Sequence, residues 1–239
     1  MEKCLYDESL QKGTDYLDPR KVREYDAKML SFRDYVAEAA LIVDTLQLGP
    51  HESILDIGCG TGGVSLHVAR SCNWLTGIDI SRPMLDFARE KAKAADVHNA
   101  TFQPGGFLKN DLPMASFNAV MTNAALHHLP DFWKAVALFR INQLLKEDGR
   151  LFLGDVVFGY PLEQYRERSL SWIERMEPIE PGEARAHLKE EYSTFSWIME
   201  GLLDRTGFEW TRVGGDDYFA QYVCHKIRSF KDWGQESHA

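Results

Sequence analysis

Asp56, Gly58, Gly60 and Gly63 stand together in "ESILDIGCGTGGVSLHVAR", residues 52 to 70. A short apolar run leads into this loop and a helical pattern leads out of it, so the glycines sit where a ligand can touch backbone. The spacing formally satisfies G-x-G-x-x-G, which in a dinucleotide site brings a pyrophosphate onto a helix N-terminus. Asp56 opposes that reading: a carboxylate about 4 Å from a phosphate charge costs on the order of 4 kcal/mol at an effective dielectric near 20. A cationic ligand reverses the sign. Asp79 ends the next apolar run, roughly 20 residues on, where a carboxylate accepts hydrogen bonds from ribose hydroxyls.

S-adenosylmethionine carries a ribose, an ammonium and a sulfonium but no phosphate, so it suits both acids, whereas NAD suits only Asp79. A bland alternative stands beside this one, with the glycines as a tight turn and the two acids as helix caps. Further along, "TNAALHHLPD" brings Asn123, His127 and His128 toward the same pocket. Histidine suits base work near neutral pH, or the loop is merely ordered by it; of two adjacent residues, one is expected to face the pocket. Asp155 is an alternative pocket acid or a cap for the next helix. Cys4, Cys59, Cys72 and Cys224 form no C-x-x-C pair, and no aspartate–histidine cluster shows metal-ligand spacing, so no metal site is expected.

The elements that must position these residues alternate. "SILDIG", "NWLTGIDIS", "ATFQP", "FNAVMTN" and "GRLFLGDVVF" read as five strands, separated by helical stretches such as "SRPMLDFAREKAKAA", capped by Ser81 with Pro83 in its first turn. In "PDFWKAVALFRINQLLK", Phe132, Val136, Phe139 and Leu144 form an apolar face. Strands alternating with helices predict an α/β fold with a parallel sheet covered on both faces. Ahead of it, residues 19 to 48 read as cap helices, opening with Asp18 as N-cap and Pro19 at N1. After the core of residues 50 to 158 come two helical stretches, 159 to 206, expected to form a lid. Residues 207 to 228 read as antiparallel strands joined around Gly214, Gly215, Asp216 and Asp217.

At 239 residues with no internal repeat, one domain is the expectation. A formal net charge of -9 opposes a phosphate-neutralising surface and so argues against nucleic acid. Neither a secretory leader nor an apolar run of about 18 residues is visible, so a cytoplasmic protein without membrane contact is expected. Monomer and homodimer both stay open.

Taken in order, "ILDIGCGTGG", "GIDIS", "FNAVMTNAALHHLPD" and "LLKEDGRLFLGDVVF" closely resemble the class I S-adenosylmethionine-dependent methyltransferases, especially those acting on small molecules. The resemblance covers about residues 50 to 158. It implies a Rossmann-like doubly wound seven-stranded sheet with the last strand antiparallel. It also implies that Asp56, Gly58, Cys59 and Gly60 contact the methionine moiety, Asp79 the ribose and Ile80 the adenine. "EYDAKM" resembles the segment that closes over the cofactor in related enzymes, which points to Tyr25.

Three positions depart from the family pattern. Gly106 and Phe107 stand where an acid usually accepts from the adenine amino group, and Phe107 could stack on the ring instead. Asn118 stands where Asp is common, and "KEDG" replaces "KPGG", with Asp148 suited to the left-handed turn. The N/D-P-P-Y segment of base-methylating enzymes and the double-glutamate loop of arginine methyltransferases are both absent.

The expected reaction is methyl transfer to a small-molecule acceptor, driven chiefly by proximity and orientation. His127, His128 and Asp155 are the candidate proton-handling groups. Specificity would come from aromatic residues of the caps and lid: Tyr16, Tyr25, Phe32, Tyr35, Tyr165, Trp172, Tyr192, Phe195 and Trp197. The rivals are an inactive subunit that binds the cofactor, and an NAD-dependent oxidoreductase.

Overall fold

Five parallel strands are laid down in chain order before the sheet is closed by a hairpin: β1 (Ser53–Ile57), β2 (Trp74–Asp79), β3 (Ala100–Pro104), β4 (Phe117–Asn123) and β5 (Leu145–Asp155). The hairpin is β8 (Phe208–Gly215) and β9 (Ala220–Lys226), and a two-residue parallel bridge joins β6 (Val157–Phe158) to β7 (Thr194–Phe195). The computed structural model describes residues 5–9, 19–178 and 182–230. Asp18, Tyr16 and Cys4 lie outside them.

The sheet order is β3-β2-β1-β4-β5-β9-β8, with β9 antiparallel to both neighbours and, among the described residues, the one reversed strand. Chain order turns back at β1, and at such a switch point the loops after neighbouring strands diverge to leave a crevice at their carboxyl ends. Successive residues of β1 supply the two faces. Leu55 packs with Leu138, Ile141, Met199 and Leu203, from α5 (Asp131–Leu144) and α8 (Ser196–Arg205). Ile54 packs with Ile42 and Leu46 of α2 (Tyr35–Leu46) and with Val68 of α3 (Ser65–Val68). α4 (Arg82–Ala94) buries Leu85 and Ala88 against Phe102 of β3.

Local signals set the helix ends. The carboxylate of Asp34 accepts from the Val36 and Ala37 amides, both at 3.0 Å, and starts α2. Ser81 caps α4 through the Met84 amide, as its sequence predicts. α1 (Pro19–Met29) is tied across the glycine loop: Asp26 accepts from Thr61 Oγ1 at 2.6 Å and from Lys91 of α4 at 2.8 Å. Asp148 takes φ 59°, as expected of the "KEDG" turn.

Several expectations are corrected. Phe132 is 69% exposed, because the buried stripe of α5 runs through Ala137, Leu138, Ile141 and Leu144 and turns Phe132 outward. The stretch from Ala184 to Gly207 is not one helix. α7 (Glu183–Glu190) stops, residues 191–193 run without regular structure, β7 pairs with β6, and α8 begins afresh. α8 packs on the sheet beside α5, so the insert above the crevice is shorter than 159–206 and consists chiefly of α6 (Tyr165–Met176) and α7.

Gly215 closes the hairpin at φ 97°, where an added Cβ would overlap the Phe219 carbonyl. Gly215→Ala should therefore destabilise the fold by about 1–3 kcal/mol, the usual cost of a forced backbone. Urea unfolding reads this as a lowered midpoint, and an unmoved midpoint would reject the strain.

Candidate active site

The loop after β1 is stitched to the end of β2. Gly58 N and Cys59 N donate to Ile78 O at 2.9 and 3.1 Å, and Gly60 N donates to Asp79 Oδ2 at 2.9 Å. The other carboxylate oxygen of Asp79 accepts from Ser81 N at 2.8 Å. Gly58 sits at φ 76° under Ala125, whose Cβ an added side chain would overlap, and Gly60, at φ 51°, faces open space. The Cys59 thiol turns away into the cluster around Leu85 and Phe102, and burial raises its pKa well above the usual value.

Three adjoining cavities surround this loop, and Tyr25 and Ala124 line all three. A cavity of about 90 Å³ is bordered by Asp79, Ile80, Gly106, Phe107 and Glu8, and its lining includes no lysine or arginine among the described residues. A cavity of about 60 Å³ holds Asp56, Gly58, Cys59, Gly60 and Asn123. The third, about 380 Å³, is lined by Phe32, Arg33, Asn123, His127, His128 and Trp172 among others. Ala124, where they meet, is itself in the left-handed region at φ 56° and is held there by its amide's bond to Gly154 O at 2.8 Å. A strained non-glycine residue at the junction is common at functional sites.

Burial pushes the Asp56 carboxyl up to about 7, reinforced by the charge of Asp79 and opposed by the Ser65 hydroxyl, which donates to it at 2.5 Å, and by Arg33. Burial also raises Asp79, against the amides of Ser81, Gly60 and Ile80. Asn123 Nδ2 donates to Glu38 Oε2 at 2.8 Å, and Glu38 is bound in turn by Arg33. The Oδ1 of Asn123 is buried and accepts no hydrogen bond from the described residues.

Sequence reasoning missed Glu8. The segment 5–9 lays its carboxylate against the loop after β3, where Oε1 accepts from Phe107 N at 2.7 Å and Oε2 from Leu108 N at 3.0 Å. An acid thus stands beside Gly106 although the residues directly after β3, "GGFLKN", contain none. A Cβ added at Gly106 would press on the Glu8 carboxylate and shift it.

Both histidines border the large cavity, contrary to the expectation that only one of them would. They lie in a tight turn, Leu126–His128, with ring centroids 4.3 Å apart. Burial, with His127 beside it, lowers His128 to about 3, so it is neutral at physiological pH and a weak base. Burial opposes charge on His127, but Asp155, 2.5 Å from its Nδ1, outweighs burial and raises its pKa. Asp155 also accepts from the His127 and Val156 amides at 3.0 and 2.7 Å and so lies behind His127, and the cavity linings do not include it. Of the expected aromatic lining, Tyr25, Phe32 and Trp172 face the large cavity. Tyr165 and Trp197 are 54% and 66% exposed, and Tyr35 is buried under Gly63.

Residues 54–149 match the family model of a methyltransferase domain. An uncharacterized methyltransferase of Mycobacterium bovis is 34% identical over 190 residues, covering 80% of each chain. The chain belongs to the class I S-adenosylmethionine-dependent methyltransferases. A demethylmenaquinone methyltransferase of Listeria monocytogenes is 26% identical over 205 residues, 82% of this chain and 83% of that one. The crystal structure of a SAM-dependent methyltransferase from Aquifex aeolicus shares the fold, with TM-score 0.64 and 16% identity over 88% of this chain and 99% of that one.

This methyltransferase takes S-adenosylmethionine as cofactor, and its residues fit that group. Carboxylates at Asp56, Asp79 and Glu8 suit a ligand that is cationic and rich in donors, the orphaned Asn123 Oδ1 needs a donor, and Gly60 leaves open the space a side chain would fill. Among the described residues no helix is long and apolar enough to cross a membrane.

Proposed function

We propose that this methyltransferase acts on a small-molecule acceptor bound in the cavity of about 380 Å³, and that this cavity is the observation which carries the reading. Its size lies in the range of small-ligand pockets, about 300–1,000 Å³, and its aromatic walls with a few polar groups suit such a ligand. It meets the smaller cavities at Tyr25 and Ala124, so a methyl group presented there would face an acceptor without crossing solvent. The Listeria relative is named for a small-molecule acceptor too.

In this reading Asp56 and Asn123 hold the ammonium end of the cofactor, Asp79 the ribose hydroxyls, and Glu8, Ile80 and Phe107 the adenine. Bound S-adenosylmethionine supplies an electrophilic methyl group on a sulfonium. The chain's own residues then align and enclose: Tyr25 of α1 covers the junction, α6 and α7 act as a lid that excludes water, and neutral His128 offers a hydrogen bond and not a strong base. Most of the acceleration comes from proximity and orientation.

The test is S-adenosylhomocysteine formation across a panel of small phenols, quinols, thiols and amines, set beside protein and RNA substrates. Turnover confined to small acceptors, and lost when Trp172→Ala removes an aromatic wall of the cavity while cofactor binding persists, is the expected result. Turnover only on a macromolecule would reject this reading.

A further inference from the structure

A cluster of metal-ligating groups lies at one wall of the acceptor cavity, drawn together from separate parts of the chain. His187 and Glu191 stand one helical turn apart at the end of α7, and His127 comes from the turn after β4. One nitrogen or oxygen from each lies within 4.8 Å of the other two. His127 Nε2 is 3.4 Å from Glu191 Oε2, and His187 Nδ1 contacts the same oxygen. Ligands of a tetrahedral ion at about 2.0 Å from the metal are about 3.3 Å apart, so His127 and Glu191 already hold that separation.

The remaining ring nitrogens are occupied. His127 Nδ1 is held by Asp155 at 2.5 Å, and His187 Nε2 by Ser193 Oγ at 2.5 Å. Each imidazole therefore turns its other nitrogen toward Glu191. That is how metal-bound histidines are oriented, with an outer partner fixing the tautomer and the ring plane. Glu191 Oε2 is buried and pairs with His187 Nδ1, a contact that an ion held by both groups would replace. Backbone straps hold the pieces in place: Tyr192 N donates to His127 O at 2.9 Å, and Lys134 binds Tyr192 O.

We propose that His127, His187 and Glu191 form a divalent transition-metal site of the zinc type, with Asp155 and Ser193 as its outer partners and its open position facing the acceptor cavity. Two histidines and one carboxylate with a free position make a donor set for catalytic Zn²⁺, and one that Fe²⁺ also accepts. Its role rests on the reading of that cavity as the acceptor site. The ion binds an acceptor O–H or S–H through the heteroatom, lowers its pKa and releases the proton to solvent. The heteroatom keeps the electron pair as a nucleophile. A base is then unnecessary.

The test needs no acceptor. Protein stripped with a chelator is titrated with Zn²⁺, Fe²⁺ and Co²⁺ separately, with metal content measured after desalting and the Co²⁺ visible spectrum recorded. One equivalent per chain, with the intense bands of a four-coordinate Co²⁺ site, is expected. His187→Ala and Glu191→Gln should abolish both readouts, and Asp155→Asn should weaken metal binding by about 10- to 100-fold. Calorimetry with S-adenosylhomocysteine should be unchanged in the two α7 variants, showing that they fold. Absence of stoichiometric metal, or metal binding indifferent to both α7 substitutions, overturns the site while the methyltransferase reading stands. Metal bound without turnover on any small acceptor overturns only the role assigned to it.

Discussion

Asp79→Ala is expected to weaken S-adenosylmethionine binding by roughly 10- to 150-fold, the loss of about 1.5–3 kcal/mol that follows removal of a charged hydrogen-bond acceptor. Asp79 has two jobs in the structure. It anchors Gly60 and Ser81 through their amides, and it borders the cavity between β2 and Phe107. Each carboxylate oxygen retains a lone pair after its backbone bond, so ribose hydroxyls can be accepted without breaking the anchor. A cofactor analogue separates the two jobs. With S-adenosylhomocysteine lacking its ribose hydroxyls, the variant should lose little more than the parent protein, because the bond at issue is already gone. An equal penalty for both ligands would show that Asp79 acts only through the loop.

What could be read from residues alone, and what could not, divides by distance along the chain. β3 and β4 occupy Ala100–Pro104 and Phe117–Asn123, the stretches the sequence predicts, because a short apolar run between turn-forming residues carries its own ends. The first half of the site was equally legible: Asp56, the glycines and Asp79 lie within one strand-loop-helix-strand unit whose spacing is local. Glu8 could not be found that way. It reaches Phe107 from 99 residues away, and no local pattern marks a carboxylate whose partners are backbone amides. His187 and Glu191 carry no such signal in "HLKEE", because their partner His127 comes from a distant part of the chain. Only the break before β7 and the strap from Tyr192 to His127 turn them inward. Ala124 carries no signal either, because alanine rarely takes positive φ and its strain is imposed by the strand ends around it.

The affinity for S-adenosylmethionine should depend steeply on pH, and Asp56 sets the direction. Its carboxyl titrates near 7 in the cofactor-free fold against an ordinary value of 3.8, because burial opposes the charge. A raised acid stabilises the fold below its unfolded pKa and loses that contribution as pH rises through the folded value. The cofactor-free protein should therefore lose on the order of 4 kcal/mol of stability between about pH 4 and pH 7. Binding an ammonium beside Asp56 favours the carboxylate and reverses the balance. Below pH 7 the affinity should fall about tenfold per unit as the carboxyl takes up its proton, and binding near pH 6 should release close to one proton. Above about pH 8 it should fall again as the cofactor's own α-amino group, with an ordinary pKa of about 7.7–8.0, loses its charge. Asp56→Asn removes the acidic limb, weakens binding at pH 7.5 by roughly 10- to 150-fold, and makes the cofactor-free protein more stable at pH 8 than its parent. Calorimetric titrations in two buffers of different ionisation enthalpy, with urea unfolding at pH 6 and pH 8, measure all three. A flat affinity profile with no proton release would remove Asp56 from the ammonium site. Stability gained without affinity lost would leave it a buried acid hydrogen-bonded to Ser65.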